Sequence, residues 1–265
     1  MEKQVSDYSY GGIDIENQVV VVIGGPTGMG RATVKALSQE GAIPVPSNPY
    51  QDEVESIVNE LEKEGIEVPS ITVDVTDTES LEELKKEVLN HYGRIDGLVN
   101  FAGIHLKKPT EKVTTKEWEK VIDVHLSGTF KACKVIGSQM IEQCYGSIVN
   151  IGSITSYQGL YQVSAYGAAK GGVVTFSKSL AGEWAKYHIN VNTVIPGFIL
   201  TDMNKSLLEE NTDRLNMIVN NTPMEKLGNP NDVVGSVIFL LSDASNFITG
   251  SSILVDGGYL NSSSR

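Results

Sequence analysis

The sequence predicts one α/β domain with a doubly wound, parallel sheet of seven strands and helices on both faces. Apolar, β-branched runs alternate with stretches of helical period, which is the rhythm of βαβ units. The runs are almost continuously apolar, as strands buried on both faces are. No repeat, low-complexity tract or flexible linker divides the 265 residues, and a hydrophobic content of 40% suffices for a sizeable core.

The elements follow one another in order along the chain. The predicted strands lie at residues 19–23, 43–49, 70–75, 97–103, 146–153, 189–197 and 251–258. The predicted helices lie at residues 30–39, 81–91, 115–143 and 165–187. Pro44 and Pro46 remove two backbone donors from the second strand, so we expect that strand to be irregular.

The domain is predicted to span residues 18–261, with an N-terminal arm at 1–17 and a loose tail at 262–265. One polar, charged stretch of mild helical period, about 202–223, interrupts the rhythm between two strands. Such an insertion often covers a site as a lid. An inert surface helix is the alternative.

Composition and charge exclude several function classes. The net charge of −12, without a basic stripe, disfavours nucleic acid as a partner. The longest apolar runs, 19–23 and 233–241, fall short of the ~20 residues of a membrane helix, and the absence of a signal pattern makes the cytoplasm the expected location. Cys133 and Cys144 form no CxxC pair and are expected to be core thiols. The four histidines show no HExxH spacing, so no metal site is expected.

A glycine-rich loop follows the first strand and opens the first helix. It reads Gly24-Gly25-Pro26-Thr27-Gly28-Met29-Gly30. Glycines permit a tight turn and a close approach of the backbone to a pyrophosphate, and the helix N-terminus favours negative charge. A plain turn is the alternative, but the strand before the loop and the helix after it favour dinucleotide binding.

The spacing GxxxGxG resembles that of the short-chain dehydrogenase/reductase family. The likeness continues through Asp74-Val75, Asn100-Phe101-Ala102-Gly103, Ser153, Tyr166-xxx-Lys170, Pro196-Gly197 with Thr201, and Val255-Asp256-Gly257-Gly258. The resemblance implies a Rossmann-type fold, NAD or NADP as cofactor, and a homotetramer. It also implies the cofactor-binding residues, which are Gly24, Thr27, Gly28, Met29, Gly30, Asn48, Asp74, Val75, Asn100, Ala102, Gly103, Tyr166, Lys170, Pro196, Gly197, Ile199 and Thr201.

The choice between NAD and NADP depends in this family on the end of the second strand. An acidic residue there holds the ribose 2′-hydroxyl of NAD, and basic residues accommodate the 2′-phosphate of NADP. Asn48 stands at the position of the acid, and Arg31 is the only candidate cation nearby. The missing carboxylate gives a slight preference for NADP.

The catalytic hypothesis centres on Tyr166. Tyr166 and Lys170 lie at i and i+4 of a predicted helix and therefore share a face. A nearby ammonium favours the phenolate, which would bring the tyrosine pKa of ~10 towards the operating pH. Ser153 lies at the end of a strand, where ligands meet parallel sheets. A Tyr-xxx-Lys pair alone is often a solvated surface pair, but the serine and the upstream nucleotide loop favour a catalytic set.

The resemblance implies the roles of these residues. Tyr166 would protonate the carbonyl oxygen that Ser153 holds while a hydride passes from the nicotinamide to the carbonyl carbon; alcohol oxidation is the reverse. Lys170 would tune Tyr166 and bind the nicotinamide ribose, and Pro196, Gly197, Ile199 and Thr201 would position the carboxamide.

The chain departs from the family pattern at three positions. Ile23 replaces a threonine and Phe101 replaces an asparagine, and neither change removes a catalytic group. His125 replaces the asparagine whose bound water links the lysine to solvent. A histidine would either keep this relay, with a pKa near ~6.5 that adds a pH dependence, or merely fill the cavity and bond to the backbone.

The substrate is expected to be a sugar, sugar acid or polyol, as in gluconate 5-dehydrogenases; the alternative is a 3-oxoacyl (acyl-carrier-protein or CoA) group. His105 and Lys107 follow the Asn100 strand and would attract an anion, although solvated lysines are the plainer interpretation. Ser153, His105, Gln162 and Phe198 are the candidate substrate residues. A nucleotide-binding sensor or scaffold without catalysis is the alternative of another class.

Overall fold

The computed structural model describes residues 12–201 and 212–262. Parts of the predicted N-terminal arm, lid segment and tail lie outside the described residues. These parts are residues 1–11, 202–211 and 263–265. The end of the arm packs on the domain, because Ile15 is buried in the core and the Asn17 N–H donates to the Gly41 carbonyl over 2.8 Å.

The described strands form one parallel sheet of six strands in the order β2-β1-β3-β4-β5-β6. They span β1 Val19–Ile23, β2 Ile43–Ser47, β3 Gly97–Asn100, β4 Gly146–Ile151, β5 Ile189–Pro196 and β6 Ser252–Val255. The order reverses next to β1, as a doubly wound sheet requires. The predicted fold class is therefore confirmed.

The predicted strand at 70–75 is wrong, and the described sheet has six strands rather than seven. The Ile43 N–H and the Ser47 carbonyl both bond towards β1, so the alternate residues Pro44 and Pro46 face the outer edge of β2. Proline has no N–H, and this edge therefore cannot support a full ladder. Segment 70–75 keeps one bond to it, from the Val73 N–H to the Asn48 carbonyl over 2.9 Å.

Helices cover both faces of the sheet. They span α1 Gly28–Gln39, α2 Gln51–Lys63, α3 Thr78–Tyr92, α4 Thr115–Ile122, α5 Gly128–Gln143, α6 Ser164–Trp184, α7 Thr212–Asn221 and α8 Pro230–Leu241. A five-residue π-helical segment, Asp123–Ser127, joins α4 to α5, so the predicted helix at 115–143 is nearly continuous. Among the residues described, no helix is long and apolar enough to span a bilayer.

Successive side chains of β1 point to opposite faces of the sheet, and this explains why the core lies on both faces. Val19, Val21 and Ile23 pack on one face with residues of α3, α5 and α6, whereas Val20 and Val22 pack on the other face with residues of α1, α2 and α8. The register aligns the carboxyl ends of the strands. The loops that follow β1, β3, β4 and β5 therefore meet at one edge of the sheet.

Candidate active site

A cleft of about 1620 Å³ opens at this edge. It exceeds the roughly 300–1,000 Å³ of an ordinary small-molecule site and has room for a dinucleotide together with a substrate. Every predicted site residue except Asn100 lines it. These residues are Gly24, Thr27, Gly28, Met29, Gly30, Asn48, Asp74, Val75, Ala102, Gly103, His105, His125, Ser153, Gln162, Tyr166, Lys170, Pro196, Gly197, Phe198, Ile199 and Thr201.

The glycine loop forms a turn that side chains would obstruct. Gly24 has φ +78°, and a Cβ there would lie 2.9 Å from the Ala102 nitrogen. A Cβ on Gly30 would lie 2.0 Å from the Gly24 carbonyl oxygen. The start of α1 therefore packs directly against the end of β1, and the loop backbone borders the cleft.

The N-terminus of α1 offers unused hydrogen-bond donors. Thr27 is the N-cap residue, but its side chain makes no cap hydrogen bond, and the first turn holds no acidic residue. The first N–H groups of a helix have no partner within the helix and favour an anion. These groups thus fit the pyrophosphate of a dinucleotide.

Ser153 and Tyr166 are brought together at the floor of the cleft. Ser153 follows β4 and is buried, and its Oγ accepts the Thr155 N–H over 3.1 Å. Burial raises the pKa of the Tyr166 phenol, and a hydrogen bond with the Ser153 side chain lowers it by less. The phenol is therefore neutral at pH 7 in this state and is a proton donor.

Lys170 lies beneath this pair. Its Nζ is 5.8 Å from the centre of the Tyr166 ring and donates to the Ile151 carbonyl over 2.6 Å. Burial lowers the pKa of the ammonium to about 8, so most molecules still carry the charge at pH 7. Burial is the largest influence on the pKa of Tyr166 and raises it, so the lowering by Lys170 stays a prediction.

His125 occupies the π-helical segment beside Tyr166. The two rings meet edge to face, with centroids 5.0 Å apart. The histidine Nε2 lies 2.8 Å from the carbonyl oxygen and 3.0 Å from the nitrogen of Ile104, and its Nδ1 is buried without a partner among the described residues. A Cβ on Gly103 would lie 2.5 Å from the ring, so this glycine makes room for the histidine.

The environment of His125 keeps the imidazole neutral. Burial, followed by the charge of Lys170, lowers its pKa to about 3, although the hydrogen bond to Ile104 opposes this. The pH dependence near 6.5 that the sequence suggested is therefore not expected from this ring. The contact with the backbone matches the plainer of the two sequence interpretations.

Asn100 lies behind the cleft, in a buried polar network. Its Nδ2 donates to the Asn150 Oδ1 over 2.8 Å, and the Asn150 Nδ2 donates to the Ser177 Oγ over 2.9 Å. Cys133 contacts both amides and is a buried thiol, as predicted, whereas Cys144 is exposed. The network joins β3, β4 and α6, the helix that holds Tyr166, and the predicted cofactor contact of Asn100 stays a prediction.

Two basic side chains, Lys107 and Arg214, and the histidine His105 lie at the outer rim of the cleft. His105, Lys107 and Arg214 all line it. Burial and then the charge of Arg214 lower the pKa values of both His105 and Lys107, and Lys107 adds to the effect on His105. Sequence reasoning missed Arg214; the helical period of the segment about 202–223 was the signal that could have found it.

Two loops close this rim. The Lys108 N–H donates to the Gln162 carbonyl over 2.8 Å, and Gln162 adopts φ +66°, which is uncommon for a residue with a side chain. The Lys108 ammonium is paired with Glu117 over 2.8 Å. Phe198 packs edge to face on Tyr259, with centroids 5.2 Å apart. The rim thus combines fixed backbone, cations and aromatic rings.

The opposite end of the cleft lies beyond β2. Asn48 is buried, and its side chain bonds to Glu53 and to the Tyr50 backbone. Arg31 donates to the Pro26 carbonyl and pairs with Glu60. Glu53 also lines the cleft, and sequence reasoning missed it because it belongs to α2 rather than to the strand end.

Comparisons with known proteins find similar proteins over most of the chain. A family model described as enoyl-(acyl carrier protein) reductase matches residues 24–260. The 2-dehydro-3-deoxy-D-gluconate 5-dehydrogenase of Formosa agariphila is 36% identical over 248 residues, covering 93% of this chain and 94% of the relative. The 3-oxoacyl-[acyl-carrier-protein] reductase of Thermotoga maritima is 35% identical over 244 residues, covering 92% and 98%.

A solved structure shows the same similarity in three dimensions. The gluconate 5-dehydrogenase from Burkholderia cenocepacia, in complex with NADP and tartrate, matches with a TM-score of 0.91 and 27% identity. The match covers 95% of this chain and 98% of that chain.

Proposed function

The chain belongs to the short-chain dehydrogenase/reductase family, and from this we propose that it interconverts a secondary alcohol and a ketone with Tyr166 as the acid/base. It is an NAD(P)-dependent oxidoreductase. The observation that supports the proposal best is the arrangement of Ser153, Tyr166 and Lys170 at the carboxyl edge of the sheet, where Ser153 and Lys170 are buried and Tyr166 is half-buried on the cleft.

The residues present fit a nicotinamide dinucleotide, which supplies or accepts the hydride when it is bound. The glycine loop and the free N–H groups of α1 would hold the pyrophosphate. The adenine and the central part of the dinucleotide would be lined by Asp74, Val75, Ala102 and Gly103. The nicotinamide carboxamide would be positioned by Pro196, Gly197, Ile199 and Thr201.

The proton chemistry follows from the state of the side chains. Ser153 and Tyr166 would both bond to the substrate oxygen, and the neutral phenol would give it a proton in the direction of reduction. Lys170, still mostly charged at pH 7, would stabilise the phenolate that results. In the direction of oxidation the same phenolate would take the proton back.

We propose a sugar acid as the substrate. Lys107 and Arg214 would offer positive charge on the substrate side of Ser153 and Tyr166, where a carboxylate would be attracted, and the neutral His105 would offer a hydrogen bond. Ser153, Gln162 and Phe198 would provide further contacts with the substrate. The names of the relatives in Formosa agariphila and Burkholderia cenocepacia support this class, whereas the relative in Thermotoga maritima supports a 3-oxoacyl substrate.

A substrate panel tests this proposal. Purified protein is mixed with NAD(H) or NADP(H) and with sugar acids, the matching neutral polyols, or 3-oxoacyl thioesters, and nicotinamide absorbance is followed. We expect turnover with sugar acids, and Lys107→Gln raises their KM about tenfold while leaving the KM of neutral polyols unchanged. Lys112→Gln, on an exposed turn outside the cleft, is the matched control. Turnover confined to thioesters contradicts the sugar-acid proposal.

We also propose assembly as a homotetramer in the cytoplasm. Phe247 and Leu254 are exposed near the edge strand β6, and Phe130 of α5 is exposed beside Phe176 of α6, which are apolar surfaces that partner subunits would cover. The free thiols of Cys133 and Cys144 suit a reducing compartment. The segment about 202–223 would act as a lid, since its described part places Arg214, Met217 and Ile218 on the cleft.

A further inference from the structure

The end of the cleft beyond β2 contains a carboxylate that is held in place by a buried amide. The Asn48 Nδ2 donates to the Glu53 Oε2 over 2.5 Å, and the Asn48 Oδ1 accepts the Tyr50 N–H over 2.9 Å. The backbone carbonyl of Asn48 accepts the Val73 N–H. Asn48 is therefore fixed on three sides, and its amide oxygen is already used.

Glu53 is the group that this amide presents to the cleft. Both residues line it, and the Glu53 side chain is partly exposed there. Its second oxygen, Oε1, has no hydrogen-bond partner within the described parts of the chain. A carboxylate accepts hydrogen bonds and repels anions, so this position suits a hydroxyl donor.

The cations nearby, Arg31 and Lys35, are both paired with a second carboxylate, Glu60. Arg31 bonds to the Pro26 carbonyl and to Glu60, and Lys35 pairs with the other oxygen of Glu60 over 2.7 Å. Glu60 thus pairs with both cations, whereas the Glu53 carboxylate bonds to the Asn48 amide. A phosphate dianion at this place would have to displace Glu60 from Arg31 while facing Glu53.

We propose that Glu53 binds the 2′-hydroxyl of the adenosine ribose of NAD(H) and rejects the 2′-phosphate of NADP(H), with Asn48 as a positioning residue. The inference rests on the proposed function, because it assumes that the cleft binds a nicotinamide dinucleotide. It departs from the slight preference for NADP drawn from the sequence, since the carboxylate missing at position 48 is supplied five residues later. It also separates this chain from the Burkholderia cenocepacia relative, whose structure contains NADP.

The test measures binding rather than turnover. NADH and NADPH are titrated separately into the full chain, and nicotinamide fluorescence gives each Kd. We expect the wild type to bind NADH at least tenfold more tightly than NADPH. Glu53→Gln weakens NADH and tightens NADPH, so that the Kd ratio changes by about tenfold or more. Glu55→Gln, which removes the same charge from an exposed site on α2, leaves the ratio unchanged.

A second variant tests the positioning role. Asn48→Ala keeps the carboxylate but removes its anchor, and we expect the preference for NADH to fall by less than in Glu53→Gln. Tighter binding of NADPH by the wild type, or equal shifts in Glu53→Gln and Glu55→Gln, would overturn the inference while leaving the acid/base role of Tyr166 intact. If neither nucleotide binds, both the inference and the proposed function fail.

Discussion

At the scale of single residues, burial decides the protonation states of the site. It raises the pKa of Tyr166 and lowers those of Lys170 and His125, to about 8 and about 3. Without bound cofactor, Tyr166 is a neutral phenol beside a lysine that is mostly charged. This protonation state suits proton donation, which is the role of Tyr166 in the reduction of a ketone. His125 is neutral and its Nε2 contacts the Ile104 backbone, so we expect it to act through this contact rather than by exchanging protons with solvent.

We expect His125→Ala to lower kcat about tenfold, because the Ile104 backbone loses its partner and the loop beside Tyr166 shifts. His125→Asn restores a side chain that both donates and accepts, and it keeps most of the turnover. The measurement is kcat from pH 6 to 9 for the three proteins. An ionisation near pH 6.5 that disappears in His125→Asn would contradict the neutral assignment.

The same shift predicts the acid sensitivity of folding. The unfolded histidine binds a proton near pH 6.5, whereas the folded one does so near pH 3, so the unfolded state binds more protons between these values. The stability contributed by the neutral ring is thus present above pH 6.5 and is lost as the pH falls towards 3. Between pH 7 and 5 the wild type should lose about 2 kcal/mol more unfolding free energy than His125→Asn.

At the scale of elements, the site depends on how strands β3 and β4 hold helix α6. The buried ladder of Asn100, Asn150 and Ser177 crosses from the sheet to the helix about two turns beyond Lys170. Lys170 itself is tied to the end of β4 through the Ile151 carbonyl. These bonds fix the face of α6 that carries Tyr166. The position of Tyr166 therefore depends on the packing of α6 against β3 and β4.

We expect Asn150→Ala to lower the free energy of unfolding by about 2–4 kcal/mol, because it removes the buried acceptor of the Asn100 amide and one of the two hydrogen bonds of the Ser177 hydroxyl. Chemical denaturation measures the change. Asn190→Ala, at a half-buried position on the neighbouring strand β5, is the control and should cost less than 1 kcal/mol. Equal losses in the two variants would show that the ladder does not stabilise the layer.

The elements also show what a sequence can and cannot predict. Continuous apolar runs predicted six strands correctly, because burial on both faces leaves a clear pattern. The predicted strand at 70–75 does not form because Pro44 and Pro46 face the outer edge of β2. Which edge they face depends on the register of β2 against β1, and apolar periodicity does not report this register. The contacts of Glu53 and Arg214 with the cleft depend on packing between distant segments, which periodicity does not report.

At the scale of the whole molecule, the doubly wound sheet gathers loops from four strands at one edge. The glycine loop, Ser153 and the Pro196 turn are far apart in sequence, yet they line one cleft. The motifs predicted this convergence because parallel strands end on the same side. The net charge of −12 makes the cationic rim of Lys107 and Arg214 a local exception that would steer an anionic substrate.

The central claim is that Tyr166 moves the proton in an alcohol–ketone interconversion, and the most direct measurement compares turnover with nucleotide binding in Tyr166→Phe. Tyr157→Phe, which changes an exposed tyrosine outside the cleft, is the control. We expect Tyr166→Phe to lower kcat by roughly 10²–10⁴-fold while the Kd of the preferred reduced nucleotide stays within about threefold of the wild type. Turnover in Tyr166→Phe equal to that in Tyr157→Phe would contradict the account.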